Sequence, residues 1–176
     1  MISENQENSN KLRIAGIVEE SFVDGPGIRF AVFVQGCPHR CERCHNPETH
    51  DFGGGREVDT DELFEQCLAN PLINGVTFSG GEPFCQAAAL YKLGCRFKES
   101  GLNLMCYSGW TFEELLEKSI SEEDVKNLLS ILDHLVDGRF ELSQRSLQLK
   151  FRGSSNQRII DVQRSLSENK AVTVEL

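Results

Sequence analysis

No stretch of this sequence is long and apolar enough to cross a membrane, and its first residues, MISENQENSNK, lack the apolar segment of a secretory signal. We therefore expect a cytoplasmic protein that makes no membrane contact. A basic excess is also missing, because 18 Lys and Arg stand against 27 Asp and Glu, for a net charge of -9. Since binding to a nucleic-acid backbone needs a basic face, we expect no nucleic-acid partner.

The sequence contains no recognisable His–carboxylate or Ser–His constellation, so we predict no catalytic side chain that acts as a general acid or base. A second closely spaced cysteine group is missing too. Four of the seven cysteines are scattered along the chain. In a reducing compartment these four are most simply small buried apolar side chains. They are Cys67, Cys85, Cys95 and Cys106.

The other three cysteines are packed into eight residues with the spacing Cys-x3-Cys-x2-Cys: Cys37, Cys41 and Cys44. Thiols this close in sequence converge on a metal ion or an iron–sulfur cluster. A structural zinc site takes four protein ligands, whereas a [4Fe–4S] cluster with three cysteines keeps one iron open to a substrate. His39 or His45 could complete a Cys3His zinc site, so both interpretations remain open on spacing alone.

A second motif, Ser-Gly-Gly-Glu-Pro, follows a predicted strand at residues 79–83. Gly80 and Gly81 would let a ligand approach the backbone closely, and Glu82 adds a carboxylate that could hold a cationic amino group. On this hypothesis, a side chain at Gly81 would block the ligand and leave a neighbouring cluster intact. As a bare strand-to-helix turn, the motif also has a purely structural explanation.

The apolar patterns predict strands alternating with helices, which is typical of a parallel sheet. The chain is too short for a complete eight-unit barrel, which takes about 250 residues. We predict an α/β fold, a partial, open (β/α) barrel of about five or six mostly parallel strands, as one domain over residues 11–176 after a disordered tail at 1–10. Strands are predicted at 12–18, 28–34, 74–78, 102–107, 134–136 and 172–176. Helices are predicted at 60–69, 84–98, 112–118, 122–132 and 157–168.

Ligands of parallel α/β folds gather at the carboxyl ends of the strands. Four segments of interest follow predicted strands and are therefore expected to meet there. They are the cysteine loop, 79–83, 107–110 and 137–139.

The longer stretch VDGPGIRFAVFVQGCPHRCERCHNPETHDFGGG resembles the radical S-adenosylmethionine (SAM) superfamily, and within it the activases of glycyl radical enzymes. The strongest similarity is to the activators of anaerobic ribonucleoside-triphosphate reductase, which residues 151–158, FRGSSNQR, also resemble. The sequence departs from the superfamily at Arg43, where many members carry an aromatic residue before the third cysteine.

The resemblance implies a [4Fe–4S] cluster held by the three loop cysteines, with SAM as second cofactor. SAM would be bound by residues of both motifs: Arg43, Cys44, His45, Gly80, Gly81 and Glu82. Reductive cleavage of SAM would produce a 5′-deoxyadenosyl radical that takes hydrogen from a backbone glycine of the reductase large subunit. A flavodoxin- or ferredoxin-like protein would supply the electron. The alternatives are an activase of the pyruvate formate-lyase type and a non-enzymatic zinc or iron–sulfur module.

Overall fold

The computed structural model describes residues 10–176, so all of the predicted N-terminal tail except its last residue lies outside the described part. Within that range we number seven strands and five α-helices in chain order. The strands are β1 (Lys11–Ser21), β2 (Arg29–Val34), β3 (Arg56–Asp59), β4 (Gly75–Gly80), β5 (Asn103–Tyr107), β6 (His134–Asp137) and β7 (Arg158–Asp161). The helices are α1 (Thr60–Leu68), α2 (Ala87–Glu99), α3 (Phe112–Lys118), α4 (Glu123–Ile131) and α5 (Val162–Glu168).

All seven strands belong to one sheet, in the order β3-β1-β2-β4-β5-β6-β7. The four central strands, β2, β4, β5 and β6, run parallel to one another. The flanking strands β1, β3 and β7 pair antiparallel. Within the described residues the end strands β3 and β7 do not pair with each other, so the sheet stays open. This confirms the predicted open α/β architecture with a parallel centre, although there are seven strands where about five or six were expected.

Side chains alternate between the two faces of the sheet, as the period of a β-strand requires. Leu104 and Cys106 of β5 belong to the large apolar core. This core also contains the buried residues of all five helices, with the exception of Thr60, Gly94 and Ser165. Met105, between Leu104 and Cys106, belongs to a small second cluster with residues of β6 and β7 and no helical residue. The helices therefore cover one face of the sheet, and the other face is left for loops and ligands.

A buried arginine braces that second face. Arg29, at the start of β2, is 1 % exposed and donates to the Thr77 hydroxyl at 3.0 Å, to the Asn103 side chain at 2.8 Å and to the Val76 carbonyl at 2.6 Å. Burial lowers the pKa of Arg29 to about 10. Its guanidinium fills the space beside Gly75, where a β-carbon would lie 2.4 Å from Nη1. Arg29 therefore ties β2 to β4 and β5.

Local signals placed most helix starts correctly. The Asp59 side chain caps α1 by accepting from the Asp61 N–H at 2.8 Å. Thr111 and Glu114 form a capping box at the start of α3, with contacts of 2.7 and 3.2 Å, as the residue pattern Thr-x-x-Glu favours. The helix predicted from residue 84 begins instead with a 3-10 turn, Pro83–Gln86, before α2 starts at Ala87.

The C-terminal part differs most from the prediction. Residues 157–168 were expected to form one helix, but β7 occupies their first part and α5 begins at Val162, capped by Asp161. Ile159 and Ile160 point to opposite faces of the sheet and bury both side chains, which a strand at the sheet edge allows. The predicted strand at 172–176 is reduced to a single bridge between Thr173 and Ile160. The sequence also did not reveal the short edge strand β3.

No helix of the described residues is both long enough and apolar enough to span a membrane.

Candidate functional site

The carboxyl ends of the parallel strands surround a cavity of about 780 Å³ on the helix-free face. The loop after β2, the end of β4 and the loop after β5 all contribute to its wall, as expected from their position at one edge of the sheet. The structure therefore brings the two sequence motifs together. The four predicted segments all contribute lining residues, which are Cys37, His39, Cys41, Cys44, His45, Asn46, Ser79, Gly80, Gly81, Tyr107, Ser108, Gly109 and Gly138.

The three loop cysteines are held in different environments. Cys37 is 8 % exposed, whereas Cys41 and Cys44 are half-buried. Burial raises the pKa of the Cys37 and Cys44 thiols. Backbone N–H groups oppose that rise: those of His39 and Arg40 point at the Cys37 sulfur, and that of Asn46 lies 3.4 Å from the Cys44 sulfur. Such N–H groups stabilise thiolates and tune cluster potentials.

These cysteines could hold an iron–sulfur cluster. All three thiols open into one cavity, and N–H donors already point at two of the three sulfurs. In the described part of the chain, no group of three or more His, Cys, Asp or Glu side chains is gathered closely enough to hold a metal ion. Three thiols that face one space are a donor set that an iron–sulfur cluster can use.

The glycines of the second motif are tightly packed. Gly80 has φ +93°, which favours glycine, and a β-carbon there would lie 2.6 Å from the Val34 nitrogen. A β-carbon on Gly81 would lie 2.4 Å from the carbonyl oxygen of Gly36. The Gly81 N–H donates to Val34 and the Glu82 N–H donates to Gly36, both at 2.8 Å. Both glycines are thus required by the contact between the two motifs, in addition to any ligand.

Glu82 lies outside the cavity wall. Its side chain is 0 % exposed, and its carboxylate accepts from His39 Nε2 at 2.7 Å, from the Ser108 hydroxyl at 3.0 and 3.1 Å, and from the Gly109 N–H at 2.9 Å. A fourth donor is the Phe84 N–H at 3.1 Å. The carboxylate therefore joins the cysteine loop to the loop after β5.

Three other predicted positions lie away from the cavity. Arg43 is exposed, with its backbone at φ +53°, and is not among the lining residues. Asp137 is 1 % exposed and pairs with Arg158 on β7, and it also caps α3 by accepting from the Phe112 N–H at 2.7 Å. Trp110 packs edge-on against the His39 ring, with centroids 4.6 Å apart. Asp137 thus has a structural explanation, as the end of a strand and the cap of a helix.

Part of the cavity wall was not predicted from the sequence. The segment 149–153 closes one side, and residues 21–24 close another. Tyr107 donates from its hydroxyl to the Phe151 carbonyl at 2.9 Å, and burial raises the Tyr107 pKa. Phe151 has φ +56°, so this bond holds a strained turn in place. The resemblance of 151–158 and of the VDGPGIR stretch to known activators was the only sequence signal for these walls.

Comparison with known proteins identifies the type of domain. A family model described as a 4Fe-4S single cluster domain matches residues 23–160, from the loop after β1 into β7. The chain belongs to this 4Fe-4S single cluster domain family. The match includes the cysteine loop, both glycines of the second motif and the segment at 149–153.

Three relatives of this 4Fe-4S domain share one name. The pyruvate formate-lyase-activating enzyme of Clostridium pasteurianum is 40% identical over 114 residues, 60% of this chain and 48% of that protein. Its counterpart in Staphylococcus aureus strain USA300 is 45% identical over 87 residues, 46% of this chain and 35% of that protein. Listeria monocytogenes EGD-e has a further one, 38% identical over 96 residues, 52% of this chain and 39% of that protein. The chain thus spans less than half the length of these relatives.

These relatives support the predicted family of glycyl-radical activases. They are named for pyruvate formate-lyase, whereas the sequence analysis expected the reductase as target. The comparisons therefore favour the alternative target over the main prediction.

Proposed function

We propose that this protein is a radical SAM activase that generates a glycyl radical on a partner enzyme. The single observation that carries the proposal is the shared cavity. The three-cysteine loop and the Ser79–Gly81 turn line the same space at the carboxyl ends of parallel strands, in a chain of the 4Fe-4S single cluster domain family. One motif suits a cluster with an open iron, and the other suits a ligand that approaches the backbone.

Cys37, Cys41 and Cys44 would hold the cluster. When bound, the cluster supplies the electron for reductive cleavage of SAM. The chain itself would position the ligand, with the backbone of Gly80 and Gly81 receiving its amino acid end and His45 as a further lining residue of the same cavity. The segments 21–24 and 149–153 form further walls of this cavity, within which the ligand would be placed against the cluster.

We propose a pyruvate formate-lyase-type enzyme as the first candidate partner, because the three relatives are named as pyruvate formate-lyase-activating enzymes. Anaerobic ribonucleoside-triphosphate reductase is the second candidate. The observation in its favour is that part of the 151–158 segment, which resembles reductase activators, lies in the cavity wall. In both cases the electron would come from a flavodoxin- or ferredoxin-like protein, and we propose a cytoplasmic location.

The deciding experiment is anaerobic incubation of the reconstituted protein with reductant, SAM and each candidate partner in turn. Electron paramagnetic resonance would detect a glycyl radical on the true partner, and 5′-deoxyadenosine would be quantified in parallel. The matched control is Cys41→Ala, which should give neither product. A colourless protein that takes up zinc and no iron, or a brown one that never cleaves SAM, would refute the activase function.

A further inference from the structure

We propose that Glu82 is a positioning residue for the cysteine loop, which it holds through His39, and that it does not contact a ligand in the cavity. This inference rests on the proposed function, since it assigns a task within the cluster site. His39 lies between Cys37 and Cys41, and its side chain is 4 % exposed. The Glu82 carboxylate lies 2.7 Å from His39 Nε2, which makes this the side-chain contact between the two motifs.

The hydrogen-bonding capacity of Glu82 is fully used by the protein. A carboxylate offers about four lone-pair positions. Four donors already occupy them: the His39 ring, the Ser108 hydroxyl, and the N–H groups of Gly109 and Phe84. Glu82 is also absent from the cavity lining, unlike Gly80 and Gly81. A cationic ligand group would have to displace one of these donors to reach the carboxylate.

Groups from the loops after β4, β5 and β6 orient His39, which is itself one of the residues that line the cavity. The Arg139 side chain donates from Nε to His39 Nδ1 at 3.3 Å, so the ring hydrogen directed at Glu82 is on Nε2. Trp110 packs edge-on against the ring. Gly109 leaves room for it, because a β-carbon there would lie 2.3 Å from the imidazole. The loops after β2, β4, β5 and β6 therefore meet at one histidine.

The consequence concerns the placement of the cysteines. Residues 37–46 contain no regular secondary structure, and Arg40 and Arg43 adopt positive φ values of 49° and 53°. A loop of this kind needs tertiary contacts to hold its thiols in a fixed arrangement. The buried His39–Glu82 contact supplies one from inside the loop, so the carboxylate acts on the ligand only through the cluster cysteines.

The test measures how fast a chelator removes iron from the anaerobically reconstituted protein. We compare the parent with Glu82→Gln, His39→Leu, the double variant and His39→Gln, and use Glu117→Gln on an exposed position of α3 as matched control. Losing a charge-assisted hydrogen bond should accelerate iron loss by about tenfold or more in each single variant. The double variant should lose iron no faster than the faster single variant, because both changes break one contact. His39→Gln keeps an N–H donor and should recover most of the parent rate.

A second readout separates this role from ligand binding. SAM affinity for the intact cluster is measured from the change in its electron paramagnetic resonance spectrum. Glu82→Gln with the parent rate of iron loss but weakened SAM binding would overturn the proposal, and so would additive effects in the double variant. If Glu82→Gln fails to fold, the iron-loss rates of His39→Leu and His39→Gln still test the proposal: the first should be faster than the parent rate, and the second should be close to it. If the parent takes up no cluster, the proposed function fails, while denaturant unfolding of the iron-free variants still shows whether the two residues are coupled.

Discussion

Replacing Gly81 by alanine tests how the two motifs fit together. The added β-carbon would lie 2.4 Å from the carbonyl oxygen, 2.9 Å from the carbonyl carbon and 3.1 Å from the nitrogen of Gly36. These are backbone atoms, so no side chain can swing aside. The same carbonyl accepts from the Glu82 N–H at 2.8 Å, and the Gly36 N–H donates to Thr49 at 2.8 Å. Because Cys37 follows Gly36 directly, relief of the clash would move a cluster ligand.

The magnitude follows from the contacts that must change. Forcing an extra carbon into a packed site costs about 1–3 kcal/mol, and weakening one backbone hydrogen bond adds about 0.5–1.5 kcal/mol. We therefore expect Gly81→Ala to lower the free energy of unfolding by about 2–4 kcal/mol. A chain of this length loses roughly 2–4 °C of melting temperature for each kcal/mol. The reconstituted variant should also retain less iron.

The assay is denaturant unfolding of the iron-free protein, followed by iron analysis after reconstitution. Gly16→Ala is the matched control, since a β-carbon at Gly16 would meet no atom within 4 Å and the residue lacks a positive φ. That variant should be neutral or gain up to about 1 kcal/mol. Gly81→Ala with the stability and iron content of Gly16→Ala would refute the packing argument. It would restore the simpler hypothesis that Gly81 only makes room for a ligand and leaves the cluster intact.

Three further predictions address the cluster and the fold. Alanine at any one of the three loop cysteines should abolish iron binding or SAM cleavage, whereas Cys67→Ala should keep both. Loss of iron in Cys67→Ala alone would contradict the ligand assignment. The brown colour of the parent protein should bleach in air, because an open iron is oxygen-labile. Arg158→Met should cost about 2–3 kcal/mol in thermal unfolding, because Asp137 stays buried without its partner cation; an unchanged melting temperature would show the pair to be dispensable. Burial lowers the pKa of His134 from 6.5, so the contribution of His134 to stability is complete above pH 6.5 and is lost as the pH falls through the lower folded-state pKa. In pH-dependent denaturation, His134→Gln should therefore lose less stability on acidification than the parent. An equally steep loss in both proteins would refute this role of His134.

The fold could be predicted well where local signals and burial agree. The apolar run that forms β2 and the capping box at Thr111 and Glu114 depend on neighbouring residues, so their positions follow from the sequence. The edges of the sheet could not be predicted in this way. The strand β3 has only one buried side chain in four residues, Val58, and β7 looks helical until its pairing with β6 is known. Pairing between strands distant in sequence decides those elements.

The donor groups of the candidate cluster site follow from the sequence alone, because the spacing of Cys37, Cys41 and Cys44 keeps three thiols within eight residues of one loop. The sequence also placed Gly80 and Gly81 at the end of a parallel strand, where the cavity lies. Only the tertiary structure decided which way Glu82 faces. A carboxylate beside two glycines suits a ligand in sequence terms, but its direction depends on donors from two other loops: His39, 43 residues away, and Ser108 and Gly109, 26 and 27 residues away. Those distant contacts satisfy the buried charge, and satisfying it inside the protein is what turns the carboxylate away from the cavity.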